Sequence, residues 1–251
     1  NIIHLIEKDD ISKYLLFLED VFPYMEKYHY QKGMREILRE LKQILKENNY
    51  GTTSDRALLL DYQATMETKP EKAIKLEKEA LAQIKEITEG NAHLVSNLHA
   101  NLGGLYRMNG QTELAKEHME KGILLLEQYH LLYTNDSIPQ INNYAALLTE
   151  MQEPERAMSA LQKLAQIIKH YNSDHCLDYA QVQESMGNIS LITANLSQAK
   201  SHFKKAMKIY EDVWADEPEL IEAKYLEIQQ LYPQVGIALA KGILTSNNKQ
   251  A

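Results

Sequence analysis

The densest group of reactive side chains in the sequence is His170, Asp174, His175, Cys176 and Asp178. Imidazole, thiolate and carboxylate are the usual zinc ligands, but this spacing matches no structural zinc pattern. The stretch reads as a solvated loop between two helices. Cys176 would need a neighbouring base and an oxyanion site to act as a nucleophile, and nothing in the sequence identifies either. No Gly is followed by Lys, so there is no GxxxxGK[ST] phosphate loop. HExxH and GxSxG are also missing. No catalytic residue, metal site or cofactor is therefore expected. A different chemistry is open to Asn101 and Asn143, which lie 42 residues apart. An Asn amide donates and accepts at once, so it can hold a peptide N–H and C=O whatever side chains that peptide carries.

Composition narrows the class. With 44% hydrophobic and 25% charged residues in 251, the chain has enough apolar material for an extended folded core. The formal net charge of -8 and the lack of long basic runs argue against an electrostatic grip on nucleic acid or anionic lipid. No apolar run approaches the roughly 18–20 residues that cross a bilayer. The lone Cys176 cannot form an internal disulfide, which points to a reducing compartment. No signal-peptide pattern opens the sequence, so a cytoplasmic location is expected. The sequons at Asn135, Asn188 and Asn195 are accordingly read as chance. The first residue is Asn1 rather than Met, as expected of a chain processed or cut from a longer protein.

Sparse glycine and proline, ten and six in the chain, predict long helices joined by short turns. Residues 10–50 read as a first helix pair, capped by Asp9 or Asp10 and bent or ended near Pro23. Its second helix carries Met34, Ile37, Leu38, Leu41, Ile44 and Leu45 at three-and-four spacing. Gly51 suits a left-handed turn after it.

From there the chain is periodic. Ala115, Met119 and Gly122 recur 42 residues on as Ala157, Leu161 and Leu164, and again as Ala199, Phe203 and Ala206. Counting back by 42 gives Ala73 and Ala80, but Met119 lands on Glu77. Leu102-Gly103 maps to Tyr144-Ala145 and Met186-Gly187, and back to Leu60-Asp61. Tyr129 pairs with Tyr171. A register held without insertions marks a helical repeat array. The units span 54–95, 96–137, 138–179 and 180–221, with Thr112 as one helix cap. Residues 222–251 form C-terminal capping helices, interrupted at Pro233. The whole, 1–251, is expected to be a single domain: an all-α, right-handed superhelical array of antiparallel helix pairs, an α-solenoid.

This pattern resembles the tetratricopeptide repeat. Leu102-Gly103, Tyr106, Ala115, Met119 and Gly122 match its signature, as do Ala157 and Leu161, and Gly187, Ala199, Phe203 and Ala206. The common repeat has ~34 residues; the longer period is similar to that of kinesin light chain and of bacterial peptide-sensing regulators. Asp61 departs from the pattern at the small position. More loosely, His29–Met34 and the DEPEL segment at Asp216–Leu220 look like parts of the C-terminal sensor arrays of bacterial multidomain signalling ATPases.

The resemblance implies an inner face built by the first helix of each unit. It places Leu58, Leu59, Tyr62, Thr65 and Met66 there from the first unit, and Ala100, Asn101, Gly104, Arg107 and Met108 from the second. The third contributes Asn142, Asn143, Ala146, Thr149 and Glu150, and the fourth Glu184, Ser185, Asn188, Leu191 and Ile192. Asn101, Asn143 and Asn188 would grip a peptide backbone, with Asn142 beside them on the binding surface. Arg107 would meet a carboxylate or phosphate, with Gly104, Glu184 and Tyr62 completing the surface. The implied function is a non-enzymatic scaffold or sensor that holds a protein or peptide segment in a concave groove. The alternatives are a self-associating structural array, or a peptide-sensing regulator of the quorum-sensing type.

Overall fold

A computed structural model describes residues 11–47, 51–134, 137–171, 174–233 and 235. Every described element is an α-helix: α1 Ile11–Lys27, α2 Gln31–Glu47, α3 Thr53–Thr65, α4 Pro70–Gln83, α5 Ala92–Met108, α6 Thr112–Gln128, α7 Ser137–Glu150, α8 Pro154–Tyr171, α9 Leu177–Ile192, α10 Leu196–Val213 and α11 Pro218–Leu231. None of them is long and apolar enough to cross a membrane. The caps expected at Asp9 or Asp10, the residues 48–50 and the helix expected after Pro233 lie outside the described residues.

The chain divides into two compact units, Asn1–Leu131 and Leu132–Ala251. In the first, α3 pairs with α4 and α5 with α6, and α1 and α2 pack onto α3. In the second, α7 pairs with α8 and α9 with α10, and α11 packs on α10. The repeat alanines Ala73, Ala115, Ala157 and Ala199 are all buried, as the close approach of paired helices requires.

Glycine is needed at two of the paired positions. A Cβ on Gly103 would lie 2.5 Å from Met119 Cγ and 3.1 Å from the Ala115 carbonyl oxygen. On Gly187 it would lie 2.7 Å from the Phe203 ring. The large residue of each second helix thus fills the space that the small residue of the first leaves open.

The turn inside each of the last three repeats is the same left-handed helix end. Gly110, Gln152 and Ala194 have φ of 72°, 60° and 58° and stand at one register position. The amide of the next residue reaches back across the turn each time: Gln111 to the Tyr106 carbonyl (2.9 Å), Glu153 to Leu148 (2.9 Å) and Asn195 to Ser190 (2.7 Å). These bonds satisfy carbonyls that the helix end would leave open. Only the first of the three positions carries the residue that suits it. A left-handed alanine costs about 1–2 kcal/mol, partly offset by the greater entropy that glycine loses on folding. Ala194→Gly is therefore expected to raise stability by about 0.5–1 kcal/mol in urea denaturation.

The tyrosines noted at the end of second helices also share a task. The Tyr129 hydroxyl donates to the Ile87 carbonyl (3.0 Å), and the Tyr171 hydroxyl donates to the Tyr133 carbonyl. Each clips the loop that leads into the first helix of its own pair, α5 for Tyr129 and α7 for Tyr171.

Some local expectations need correction. Pro23 neither ends α1 nor stops it before Lys27. Thr112 is the first helical residue of α6, and Gln111 holds the cap position. The final repeat boundary is early: α11 begins at Pro218, whose missing N–H is harmless in a first turn. Gly51 does take the left-handed turn, with φ of 80°. Thr52 then caps α3, its hydroxyl accepting from the Asp55 amide (3.1 Å) while Asp55 accepts from the Thr52 amide (2.6 Å).

Candidate functional site

The inner-face positions of the first unit are largely occupied by the unit itself. Leu58, Leu59 and Tyr62 are buried in one cluster with Ile11, Leu15, Leu18 and Phe22 of α1. The Tyr62 hydroxyl donates to the Leu15 carbonyl at 3.0 Å, and its ring meets Phe22 edge-on at 5.2 Å. Tyr62 is a core residue, contrary to its expected place in a groove. Nothing in its repeat column signals this, because α1 lies outside the register.

Asn101 is also engaged. Its amide donates to Asp61 Oδ1 at 2.8 Å. Asp61 is buried, and Glu77, only 1% exposed, hydrogen-bonds to it. Asp61 and Glu77 are the two departures from the repeat pattern, and they face each other. Where the second repeat packs Gly103 against Met119, the first pairs two carboxyl groups. Burial pushes Glu77 up to about 10, and the charge of Asp61 and its hydrogen bond push the same way. Burial also raises Asp61, although bonds from Glu77 and Asn101 pull it back. Glu77 therefore keeps its proton at neutral pH and donates it to Asp61. Its Oε2 has no hydrogen-bond partner among the described residues. The pair is sealed between helices, beyond the reach of a substrate.

A second polar pair joins α5 to α6. His99 Nδ1 and His118 Nδ1 are 2.9 Å apart, with the Tyr106 ring 5.3 Å from that of His118. Burial, then the neighbouring His118 and Lys121, lower His99 to about 4. Burial and Lys121 lower His118 as well. The contact needs one Nδ1 protonated and the other bare, which two imidazolium rings cannot supply. Eighty-four residues on, Gln183 Oε1 and His202 Nδ1 make the same contact at 2.9 Å.

Gly104 and Arg107 lie partly exposed on α5. A Cβ on Gly104 would meet nothing within 4 Å, so this part of α5 borders open space.

In the second unit the inner positions converge. Asn142, Ala146, Thr149 and Glu150 of α7 face Glu184, Ser185 and Asn188 of α9 across a groove of about 470 Å³. Leu161, Lys224 and Tyr232 also line it. A further hollow of about 470 Å³ adjoins it through the shared residues Asn142 and Gln181. Asn142 is exposed and Asn188 half-buried, which leaves both amides near solvent. Asn143 is exposed too, but it does not line the groove. Thr149 spends its hydroxyl on the Ala145 carbonyl at 2.9 Å.

Glu184 is held firmly at the groove wall. It accepts from the Tyr210 hydroxyl at 3.1 Å and from Lys224 Nζ at 3.3 Å. Lys224 also meets Glu227 at 2.8 Å and sits 5.2 Å from the Tyr210 ring centroid. Burial alone would lower the Lys224 ammonium, but Glu227 and Glu184 outweigh it and raise it. Sequence reasoning missed Lys224 because α11 does not share the repeat register.

The His170–Asp178 stretch is spread over the end of α8, a loop and the start of α9. Asp174 pairs with Lys169 at 3.1 Å. Among the described residues no three His, Cys, Asp or Glu side chains are placed to hold a metal.

No protein-family model matches the chain, and no curated protein matches it in sequence. Solved structures do match its fold. RapI in its apo form is 14% identical, with a TM-score of 0.69 over 94% of this chain and 84% of that one. A Podosopora anserina putative kinesin light chain with nearly identical TPR-like repeats is 14% identical, with a TM-score of 0.66 over 84% and 99%. BtubC (BKLC) from P. vanneervenii is 16% identical, with a TM-score of 0.62 over 95% and 92%. The chain therefore has an all-α helical-repeat fold of the tetratricopeptide type.

Proposed function

We propose that the chain is a non-catalytic protein-interaction module that holds an extended peptide segment in the groove between α7 and α9. The observation that carries this reading is the convergence of inner positions from adjacent repeats. Asn142, Glu150, Glu184, Ser185 and Asn188 line one groove, with carboxamides in reach of solvent. Such amides can bond a peptide backbone independently of its sequence, and adding an aliphatic floor gives the mixed lining usual for ligand sites. Asn101 has no part in this, since Asp61 and Glu77 take its amide. The looser resemblance to bacterial signalling arrays supports a sensor or scaffold role within a larger assembly. The lone cysteine supports a reducing, cytoplasmic setting.

A peptide selected from a random phage-displayed library against the intact chain tests the reading. Asn142→Ala combined with Asn188→Ala is expected to weaken that peptide about ten-fold, since each lost hydrogen bond is worth about 0.5–1.5 kcal/mol. The helical circular dichroism should not change. Full affinity in the double variant would remove the groove from consideration.

A further inference from the structure

A separate surface lies within the first unit, on the exposed side of α2. Lys32, Arg35, Arg39, Lys42 and Lys46 are all exposed there. No two of them are adjacent in sequence, so no basic run marks them. At ~3.6 residues per turn and ~1.5 Å rise they gather on a wedge of the helix about 80° wide and about 21 Å long. Glu36, Glu40 and Glu47 fall together on the neighbouring sector, so the charges of α2 are sorted by sign. Glu40 lies beside Tyr14 of α1, where burial, then the Glu40 charge, raises the phenol. Glu47 accepts from the Gln43 amide at 2.7 Å.

The basic sector instead borders a groove of about 310 Å³ between α2 and the α3–α4 pair. Arg35, Arg39 and Lys42 stand along one wall, and Leu38, Met66 and Leu76 supply apolar surface. Lys42 Nζ reaches across to Gln63 Oε1 at 3.3 Å. Glu67 also lines the groove, but it accepts from the Thr68 and Lys69 amides at 3.0 and 3.4 Å. Among the described residues neither Arg35 nor Arg39 has an ion pair or a side-chain hydrogen bond.

We propose that α2 and the groove beside it dock an acidic amphipathic helix of a partner protein, independently of the α7–α9 groove. Arg35, Arg39, Lys42 and Lys46 are spaced by four, three and four residues, the spacing at which a helix presents one face. A helix lying alongside meets them with Asp or Glu at the same spacing, and each guanidinium can take a carboxylate by two parallel bonds. Its apolar side chains enter at Leu38, Met66 and Leu76, the helix-in-groove arrangement. The wall offers cations and apolar groups, and the Gln63 carboxamide is already engaged by Lys42. Such a surface suits an occupant whose backbone hydrogen bonds are made internally, as in a helix, rather than an extended strand. The chain as a whole carries a formal net charge of -8, so an acidic partner is repelled elsewhere and steered to this face.

Two synthetic twenty-residue helical peptides, titrated with the intact chain and followed by fluorescence anisotropy, test this. Both carry a leucine stripe; one flanks it with glutamates four, three and four residues apart, the other with lysines. The glutamate peptide should bind at least ten-fold more tightly than the lysine peptide. Arg35→Glu combined with Arg39→Glu, both at exposed positions, should weaken it about ten-fold with the circular dichroism unchanged, and added salt should weaken it too. Asn142→Ala with Asn188→Ala should leave its affinity as it was. Equal binding of the two peptides, binding of neither, or full affinity in the arginine variant would overturn the proposal. So would loss of binding in the asparagine variant, which would put the peptide between α7 and α9. Phosphatidylserine vesicles and a short DNA duplex serve as competitors: tighter binding of either, lost with the arginines, would assign the stripe to phosphate instead. Self-association in light scattering that the arginine changes abolish would assign it to a second copy of the chain.

Discussion

Glu77→Gln is expected to stabilise the first unit by about 3 kcal/mol at pH 7. In the folded chain the Glu77 carboxyl is raised from 4.5 to about 10 by burial and by Asp61. In the unfolded chain it ionises near its ordinary value. Folding must therefore take up a proton across that window. The native contact is fully favourable below about pH 4.5 and is lost progressively as pH rises toward 10. Glutamine keeps a donor for Asp61 without the proton. His99 acts in the opposite sense. It is lowered to about 4, so its neutral contact with His118 is intact above its ordinary value of 6.5 and lost as pH falls through 4. The wild type should then show a stability maximum on the acid side of neutrality. In Glu77→Gln the decline above pH 6.5 should flatten while the acid limb remains. Urea denaturation from pH 4 to 9 reads both limbs. A variant with the same alkaline slope as wild type would mean that Glu77 is ionised in the folded protein.

Gly187→Ala is expected to destabilise the second unit by about 2 kcal/mol. The added methyl would stand 2.7 Å from the ring of Phe203, which is fully buried and has nowhere to turn. Overpacking of this kind costs about 1–3 kcal/mol, reduced by the better helix propensity of alanine. Phe203→Leu in the same chain should recover part of the loss by vacating the ring volume. Gly103→Ala should cost somewhat less, since the facing Met119 can bend, although the Ala115 carbonyl at 3.1 Å cannot. Gly104→Ala, one position along, is the control. It meets nothing within 4 Å and should stabilise by about 0.5–1 kcal/mol. Equal effects at Gly103 and Gly104 would contradict the small-against-large packing of the repeats.

The repeat architecture was legible because it rests on residue size at fixed spacing. Ala115, Met119 and their counterparts must mesh in each of the last three units, so the pattern survives there in the residues themselves. The turns at Gly110, Gln152 and Ala194 were harder to read, since only one of them carries glycine. Asp61 and Glu77 each stood out as a departure within its own column. Their pairing across the helix interface was visible only once α3 and α4 were set side by side. Tyr62 and Asn101 show where column reasoning fails. A repeat rule names the face of a helix, but it cannot say that α1 covers that face or that a buried acid takes the amide. Lys224 was missed for the related reason that α11 follows no repeat. Among the described residues of the second unit no such element fills the space between α7 and α9, and there the inner positions line a groove.

The most direct test of the central claim is where a bound peptide lies. A library-selected peptide carrying a diazirine can be photo-crosslinked to the intact chain and the attachment sites mapped. Crosslinks on α7 and α9, between residues 138 and 150 and between 181 and 188, are the predicted result. Crosslinks confined to the exposed Leu16, Phe17 and Tyr24 of α1 would contradict it.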